Sequence, residues 1–436
     1  MGEDIDNLDA WRRTAYSNDI TKENSGEEVI VFGWVASYRD QGNLIFIIIN
    51  DKYGSIQITV KKNEIKDEIY QKVNNIKEQA SIGVRGMVKL AKKAPNEIEI
   101  VPIDLKILSK SEKTLPFNIF AKTLPSIDKR LDIRAFDLRR TRAQNIFNVR
   151  EIIIKAIREY YNNTGYREIN TPKIISSATE GGAALFPILY YNREAFLTQS
   201  PQLYKEQLIV AFEKVFEIGS AFRAEQSRTL SHLSEFISVD VEEAYVNYID
   251  IMNTIEKMIN NIITRLNESD ILEKFQIEKK QIKKFKTYTY KEILNLLNKK
   301  GVEKEWGEDI TSRDLKDFNE EEFYFIIDWP TVSKPFYINP NKDDQEISES
   351  FDLMFGNKEL ASGGTRISSK KLLLERFKEK KLKTKAFESH IKMFDYGVPP
   401  HAGFGLGLER LIMSIIKEEN VREVTFFPRD QRRLTP

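Results

Sequence analysis

Residues 403–410, GFGLGLER, combine alternating glycines with a charged end at Glu409 and Arg410. Glycines at alternate positions let a ligand or a neighbouring backbone approach closely. Tight packing of a helix on a sheet would explain the glycines equally well. The segment therefore indicates either a ligand site or close packing.

In the segment FRAE, at residues 222–225, Arg223 and Glu225 stand two positions apart. On a strand both side chains would face the same side, whereas a core strand should have one apolar face. An arginine suits a phosphate, and a glutamate accepts hydrogen bonds from a base or an amine. This spacing predicts a nucleotide-binding strand.

A third segment, ELASGGTR at residues 359–366, places Glu359, Ser362 and Arg366 around a pair of glycines. Carboxylate and hydroxyl oxygens together hold Mg²⁺ that also binds substrate phosphates. The segment QSPQLYK, at residues 199–205, adds Lys205 after a predicted strand. Together the segments predict a site for a phosphorylated substrate.

The composition narrows the chemistry further. The 436 residues include no cysteine and three histidines, His232, His390 and His401. Disulfides, thiolate metal sites and a cysteine nucleophile are thereby excluded, and any metal should be a hard cation. His390 is expected on the surface. The net charge of +1, with 41 % hydrophobic and 31 % charged residues, is typical of a globular protein whose nucleic-acid contacts would be local.

Several elements must position these residues. Short β-type runs at 29–35, 44–49, 55–60, 82–89 and 97–107, with a helix between the third and fourth, have the order of an OB-fold. From residue 144 onward, strands and helices alternate without a repeating βα unit, which predicts an α+β fold with an antiparallel sheet. We expect an N-terminal extension (1–28), an OB-fold barrel (29–108), a hinge (109–143) and a catalytic domain (144–436).

The predicted hinge carries a cluster of basic residues. A charge run is usually a solvated face, but beside a candidate nucleic-acid barrel phosphate contact is the better interpretation. The residues are Lys129, Arg130, Arg134, Arg139, Arg140 and Arg142. No apolar run reaches the roughly 18 residues that a membrane helix needs, so we expect a cytoplasmic protein without a membrane segment.

At these motifs the chain resembles the class II aminoacyl-tRNA synthetases, and within them the aspartyl-tRNA synthetases of the archaeal and eukaryotic type. The matching segments are GWVASYRD, ATEGGAALFP, QSPQLYK, FRAEQSRTLSHLSEF, ASGGTR, GVPPHAGFGLGLER and FFPRDQRRLTP. The resemblance implies a five-stranded OB-fold barrel that binds the anticodon, a hinge and a catalytic antiparallel sheet. It also implies a homodimer formed through the segment around Pro172.

The resemblance implies a two-step reaction: ATP and L-aspartate form aspartyl-adenylate, and the aspartyl group then passes to tRNA(Asp). Arg223 and Arg410 would be catalytic, and Mg²⁺ would be held by Glu359 and Ser362. The residues implied for ATP are Arg223, Glu225, Ser231, His232, Leu233, Phe236, Glu359, Gly407, Glu409 and Arg410. The residues implied for aspartate are Glu180, Gln202, Lys205, Arg223, Ser362 and Arg366.

Lys205 and Arg366 resemble the pair that binds the substrate's side-chain carboxylate, and a bidentate arginine suits that planar group. Asparaginyl relatives lack the lysine and have alanine in place of Pro201. An asparaginyl enzyme and a synthetase-like asparagine synthetase are the alternatives; the latter lacks the anticodon barrel. A non-catalytic paralogue would not need these site residues. The role of His401 stays open.

For tRNA, the resemblance implies anticodon contacts by Arg39, Phe46 and Gln57 on the barrel. The positions that set strictness toward tRNA(Asn) correspond to Ala36 and Pro95. Pro95 resembles relaxed enzymes that also charge tRNA(Asn), and Ala36 matches neither type. Ser231 departs from the usual arginine, so Arg228 is a candidate to supply the missing phosphate contact.

Overall fold

The computed structural model describes residues 5–176, 185–224, 228–316 and 322–436. The chain divides into two compact units between Leu124 and Pro125. This division lies within the segment 109–143 that the sequence predicts as a hinge.

The first unit contains a closed five-stranded barrel within its described residues, with the strand order β1-β2-β3-β5-β4. Inward-facing isoleucines and valines alternate with outward-facing residues along each strand, and this alternation fills the barrel interior. The predicted OB-fold is confirmed. The elements are β1 (Glu28–Asp40), β2 (Leu44–Asn50), β3 (Ser55–Lys61), α1 (Asp67–Asn74), β4 (Ser81–Leu90) and β5 (Ile98–Ser109).

The second unit is built on an eight-stranded sheet within the part of the chain that the structure describes, in the order β12-β13-β14-β15-β16-β11-β10-β6. Its pairs are antiparallel except β12–β13 and β10–β6. The predicted α+β class with a mainly antiparallel sheet is therefore confirmed. The strands are β6 (Arg167–Glu168), β7 (Ile174–Ile175), β8 (Pro187–Tyr190), β9 (Arg193–Leu197), β10 (Lys214–Phe222), β11 (Glu235–Ala244), β12 (Lys286–Thr289), β13 (Phe323–Ile327), β14 (Ser350–Phe355), β15 (Lys358–Thr365) and β16 (His401–Gly407).

Helices cover the sheet, and the long helices α4 and α6 pack against each other. Helix α6 begins after Asn247, whose side chain accepts hydrogen bonds from the backbone N–H groups of Ile249 and Asp250. Its apolar residues join one buried cluster with those of the central strands. The helices are α2 (Ile127–Leu131), α3 (Arg134–Asp137), α4 (Thr141–Asn163), α5 (Gln202–Phe212), α6 (Tyr248–Glu268), α7 (Tyr290–Lys299), α8 (Lys370–Glu379), α9 (Glu388–Met393) and α10 (Leu408–Ile416).

The basic cluster of residues 129–142 differs from its prediction. Arg134 Nη1 lies 2.7 Å from Asp137 Oδ2, Arg140 Nε lies 2.6 Å from Asp137 Oδ1, and Arg130 Nη1 lies 3.4 Å from the same oxygen. All four side chains are buried. Phosphate contact is therefore the wrong interpretation for these three arginines, because a buried carboxylate uses them as its partners. Lys129 and Arg142 remain exposed.

One smaller expectation also changes. Strand β10 ends at Phe222, so Arg223 follows the strand, although its backbone N–H still donates to the carbonyl of Ser234. Glu225 and Glu180 lie outside the described residues.

None of the helices within the described residues is long and apolar enough to cross a membrane.

Candidate active site

A cavity of about 280 Å³ opens in the second unit over strands β11, β15 and β16. Twelve residues that the resemblance assigns to substrates or metal line it together. They are Gln202, Arg223, Ser231, His232, Leu233, Phe236, Glu359, Ser362, Arg366, Gly407, Glu409 and Arg410. Strand β11 contributes by its alternation: Phe236, Ser238 and Asp240 face the cavity, whereas Val239 and Val241 face the core.

Arginines lie at one end of this cavity. The Arg223 guanidinium lies 5.4 Å from the centroid of the Phe236 ring. Arg410 Nη1 donates to the carbonyl of Glu359 at 3.0 Å, and its Nη2 lies 2.9 Å from His232 Nε2. Since a guanidinium only donates, His232 Nε2 must be the acceptor. This end therefore presents two cations and a neutral imidazole to a ligand.

Glu409 lines the cavity but is already bonded. Its Oε1 receives Arg150 Nη1 at 3.0 Å, and its Oε2 receives the backbone N–H of Ile237 at 3.0 Å. The carboxylate therefore ties helices α4 and α10 to strand β11. Arg228 does not line the cavity and instead pairs with Asp128 and Asp430.

An acidic group lies on strands β14 and β15. Asp352 pairs with Ser362 across the two strands, and Lys334 Nζ lies 2.9 Å from Asp352 Oδ1. Glu359 lines the cavity, and its side chain is exposed there. Partial loss of hydration there, together with the negative charge of Asp352, raises the pKa of Glu359, although Arg410 and Lys334 oppose the shift. A nearby cation would stabilise the ionised form of such a carboxylate.

Lys205 and Arg366 meet on one buried carboxylate. Arg366 Nε and Nη2 lie 2.8 and 3.1 Å from the two oxygens of Glu242, and Lys205 Nζ lies 3.4 Å from Glu242 Oε2. Lys205 also donates to Asp240 Oδ1 at 3.1 Å and to the carbonyl of Phe404 at 2.9 Å. Arg366 and Asp240 line the cavity. Lys205 lies behind the cavity wall and donates to Asp240.

Gly403 shows why one of the alternating glycines is required. A Cβ atom at this position would overlap the carboxylate of Glu242 and the carbonyl of Val241. Close packing against the Glu242 side chain therefore explains this glycine, whereas Gly405 and Gly407 line the cavity. Close packing thus accounts for Gly403, whereas the ligand-site interpretation applies to Gly405 and Gly407.

Gln202 and the two buried histidines share another carboxylate. Gln202 Nε2 donates to Glu206 Oε1 at 2.6 Å. His390 Nε2 and His401 Nε2 lie 3.5 and 3.6 Å from Glu206 Oε2. The expectation that His390 lies on the surface is wrong: its side chain is fully buried, because helix α9 packs against α5.

The barrel of the first unit brings its three predicted contact residues onto one outer face. Phe46 lies opposite Arg39 across strands β1 and β2, and Gln57 lies opposite Ile48, two residues further along β2. Gln57 Nε2 donates to Glu99 Oε2 at 3.2 Å. An aromatic ring, a guanidinium and an amide on one face are the groups that bind unpaired bases.

Ala36 and Pro95 also lie in the barrel unit. Ala36 falls where the β1–β2 register shifts between Val35 and Ser37, and Pro95 is exposed at the start of a short helical turn. A bulge of this kind re-aims side chains near binding sites.

Sequence reasoning missed five acidic or basic residues at the site. A signal was present in the strand SVDVEEA, where acids alternate with valines and so must share one face. The missed residues are Glu206, Asp240, Glu242, Lys334 and Asp352.

Comparison with known proteins agrees with this geometry. Residues 126–431 match the model of the class II tRNA synthetases (D, K and N), and residues 29–108 match the OB-fold nucleic acid binding domain. The chain therefore belongs to the class II tRNA synthetase family.

Individual relatives and solved structures show which members of this family the chain resembles. An aspartate–tRNA(Asp/Asn) ligase from Methanococcus aeolicus is 42 % identical over 435 residues, which is 98 % of this chain and 99 % of the relative. The ligase of the same name from Archaeoglobus fulgidus is 42 % identical over 433 residues, which is 97 % of this chain and 99 % of the relative. Among solved structures, asparaginyl-tRNA synthetase from Pyrococcus horikoshii, bound to asparaginyl-adenylate, has 32 % identity and a TM-score of 0.91, covering 98 % of this chain and all of that one.

Proposed function

We propose that the protein is an aspartate–tRNA ligase that activates L-aspartate with ATP and transfers it to tRNA. The observation that carries this proposal is Arg366, whose guanidinium lines the cavity while Glu242 fixes two of its nitrogens. Its Nη1 has no hydrogen-bond partner among the described residues, which leaves a donor for a substrate carboxylate. The two ligases at 42 % identity support the same assignment.

In the first step, the aspartate α-carboxylate attacks the α-phosphorus of ATP, a P–O bond forms, and the bond to the pyrophosphate leaving group breaks. Charge accumulates on the phosphates, so positioned cations accelerate the step. We assign Arg223 to the α-phosphate and the attacking carboxylate, since its guanidinium lines the cavity. We assign Arg410, whose guanidinium contacts the Glu359 carbonyl and His232, to the outer phosphates. Phe236 offers its ring to the adenine.

The acidic group fits Mg²⁺. Glu359 and Ser362 line the cavity and would supply hard oxygen donors, whereas both oxygens of Asp352 are bonded to Lys334 Nζ. The raised pKa of Glu359 indicates that a cation beside it would be favoured. When bound, Mg²⁺ would neutralise phosphate charge and orient the leaving group. Lys334 stays beside Asp352 and limits how much negative charge the group presents.

In the second step, a ribose hydroxyl at the 3′ end of tRNA attacks the aspartyl carbonyl, and AMP leaves. The outer barrel face with Arg39, Phe46 and Gln57 is proposed to read the anticodon by stacking and hydrogen bonding. We include tRNA(Asn) as a substrate, since the relatives are named for both tRNAs and Pro95 resembles relaxed enzymes. Translation takes place in the cytoplasm, which is where we place this activity.

We also propose a homodimer formed through the segment around Pro172. Within the described residues, β7 exposes the apolar side chain of Ile174 close to this segment. Light scattering at micromolar concentration measures the oligomeric state directly, and a monomeric mass would contradict this assignment.

Asparagine activation is the second candidate, favoured by the fold shared with asparaginyl-tRNA synthetase. Pyrophosphate exchange with each amino acid separates the two candidates. We expect aspartate to support exchange with a kcat/KM at least ~100-fold above asparagine, a difference of ~2.7 kcal/mol. The reverse preference would replace the aspartyl assignment with the asparaginyl one.

Charging of purified tRNAs tests the rest of the proposal. Transfer of aspartate to tRNA(Asp) is expected, and its absence despite pyrophosphate exchange would favour an adenylate-forming enzyme with another acceptor. Similar kcat/KM values for tRNA(Asp) and tRNA(Asn) are expected. A preference above ~100-fold for tRNA(Asp) would show a discriminating enzyme.

A further inference from the structure

The buried carboxylate of Glu206 has no role in the mechanism above, yet it contacts a residue of the cavity wall. Glu206 is 1 % exposed, and its Oε1 receives Gln202 Nε2 at 2.6 Å. Its Oε2 faces His390 and His401. Gln202, in turn, lines the cavity. Glu206 therefore lies directly behind a group that the substrate would contact.

The bond to Glu206 decides which end of the Gln202 carboxamide faces the cavity. An ionised carboxylate can only accept hydrogen bonds, so Gln202 must present its NH₂ group to Glu206. The carbonyl oxygen Oε1 of Gln202 has no hydrogen-bond partner within the described residues. That oxygen is thus left for a donor in the cavity, and the ammonium group is the donor that aspartate carries.

The histidines keep Glu206 ionised. Burial would raise the pKa of Glu206, but the charges of His390, His401 and Arg366 together lower it. His401 Nδ1 lies 2.8 Å from the carbonyl of Pro399 and so carries a proton, which leaves Nε2 facing Glu206. Burial lowers the pKa of His401, but Glu206 and Glu242 raise it overall. Burial lowers the pKa of His390, although the charge of Glu206 opposes this shift.

We propose that Glu206, which receives Gln202 Nε2 and faces His401, is a positioning residue that fixes the carbonyl oxygen of Gln202 toward the aspartate ammonium group. This inference rests on the proposed role of Gln202 in aspartate binding. Because Glu206 acts through Gln202, its effect concerns the amino-acid end of the cavity and not the ATP end. A change at Glu206 is therefore expected to affect aspartate and not ATP.

The test measures KM for aspartate and for ATP by pyrophosphate exchange in the full-length protein. E206M removes the acceptor and is expected to raise the aspartate KM about tenfold, with the ATP KM within twofold. E206Q keeps an acceptor oxygen for Gln202 Nε2 and is expected to stay within threefold of the unmodified protein in both constants. An equal rise of both KM values in E206M, or a loss in E206Q as large as in E206M, would overturn the inference.

Because E206M leaves His401 without its anion, the double variant E206M/H401L is measured in parallel. Replacing both members of a buried ion pair by apolar residues is often neutral for stability. The same selective rise of the aspartate KM is expected, and an unchanged aspartate KM in either folded variant would reject the positioning role.

Variants of Gln202 distinguish this inference from the proposed function. Q202A alone should raise the aspartate KM, and if it does not, the assignment of Gln202 to aspartate binding fails. In the background of Q202A, E206M should add no further rise, because its effect passes through Gln202. A full additional rise in the double variant would reject the positioning role while leaving the binding assignment intact.

Discussion

The carboxylate of Glu242 and the guanidinium of Arg366 form a bidentate pair, with Nε 2.8 Å from Oε1 and Nη2 3.1 Å from Oε2. Both side chains are buried, and Lys205 Nζ approaches the same carboxylate at 3.4 Å. One anion thus holds both cations proposed to select an acidic amino acid. Burial of this kind makes the loss of one partner costly, since the remaining charges stay buried.

The variant E242Q removes that anion. We expect the free energy of unfolding to fall by about 3 kcal/mol and the aspartate KM to rise about tenfold, because Arg366 loses its orientation. E243Q is the matched control, since Glu243 neighbours Glu242 but pairs with Lys214 on the opposite face. Denaturant unfolding and pyrophosphate exchange measure both effects. An aspartate KM as high in E243Q as in E242Q would contradict the prediction.

The variant R366K keeps a positive charge but loses the planar fork. Lysine cannot reproduce a bidentate pair, so kcat/KM for aspartate is expected to fall at least ~100-fold, or ~2.7 kcal/mol, with the ATP KM little changed. R376K is a suitable control because Arg376 is also buried but bonds the carbonyl of Thr331, away from the cavity. Retention of most aspartate activity in R366K would argue that charge alone selects the substrate.

Glu359 links metal binding to pH-dependent stability. Its pKa is raised in the folded state, so its ionised form destabilises the protein above the unfolded-state pKa, and this penalty disappears in acid. Without Mg²⁺, E359Q is expected to melt at a higher temperature than the unmodified protein at pH 7 and at the same temperature near pH 4, while losing Mg²⁺-dependent exchange. Melting curves at both pH values check this, and a lower melting temperature at pH 7 would contradict it.

Phe46 tests the barrel independently of the catalytic unit. Stacking on an unpaired base contributes about 1–3 kcal/mol, so F46A is expected to raise the tRNA KM between about fivefold and 150-fold. Pyrophosphate exchange needs no tRNA and should keep its rate, which serves as the internal control. An unchanged tRNA KM in a folded F46A protein would remove Phe46 from the anticodon contacts.

The sequence determined the elements of the barrel and the order in which they occur. Short runs rich in valine and isoleucine, separated by turn residues, predict the barrel strands, and the structure has five such strands in its described barrel. The spacing within 359–366 and 403–410 likewise predicts which segments carry polar groups. Twelve of the residues that the family resemblance assigns to substrates or metal line one cavity.

Only the tertiary structure decided how charges are paired. The arginines of the segment 129–142 have the composition of a phosphate-binding surface, yet Asp137 is buried among three of them. His390 belongs to a short helix whose packing on α5 buries it against Glu206. Composition and spacing report the charge a residue carries. Its partner comes from a distant strand or helix, and that partner determines whether the charge faces a ligand or is neutralised inside the fold.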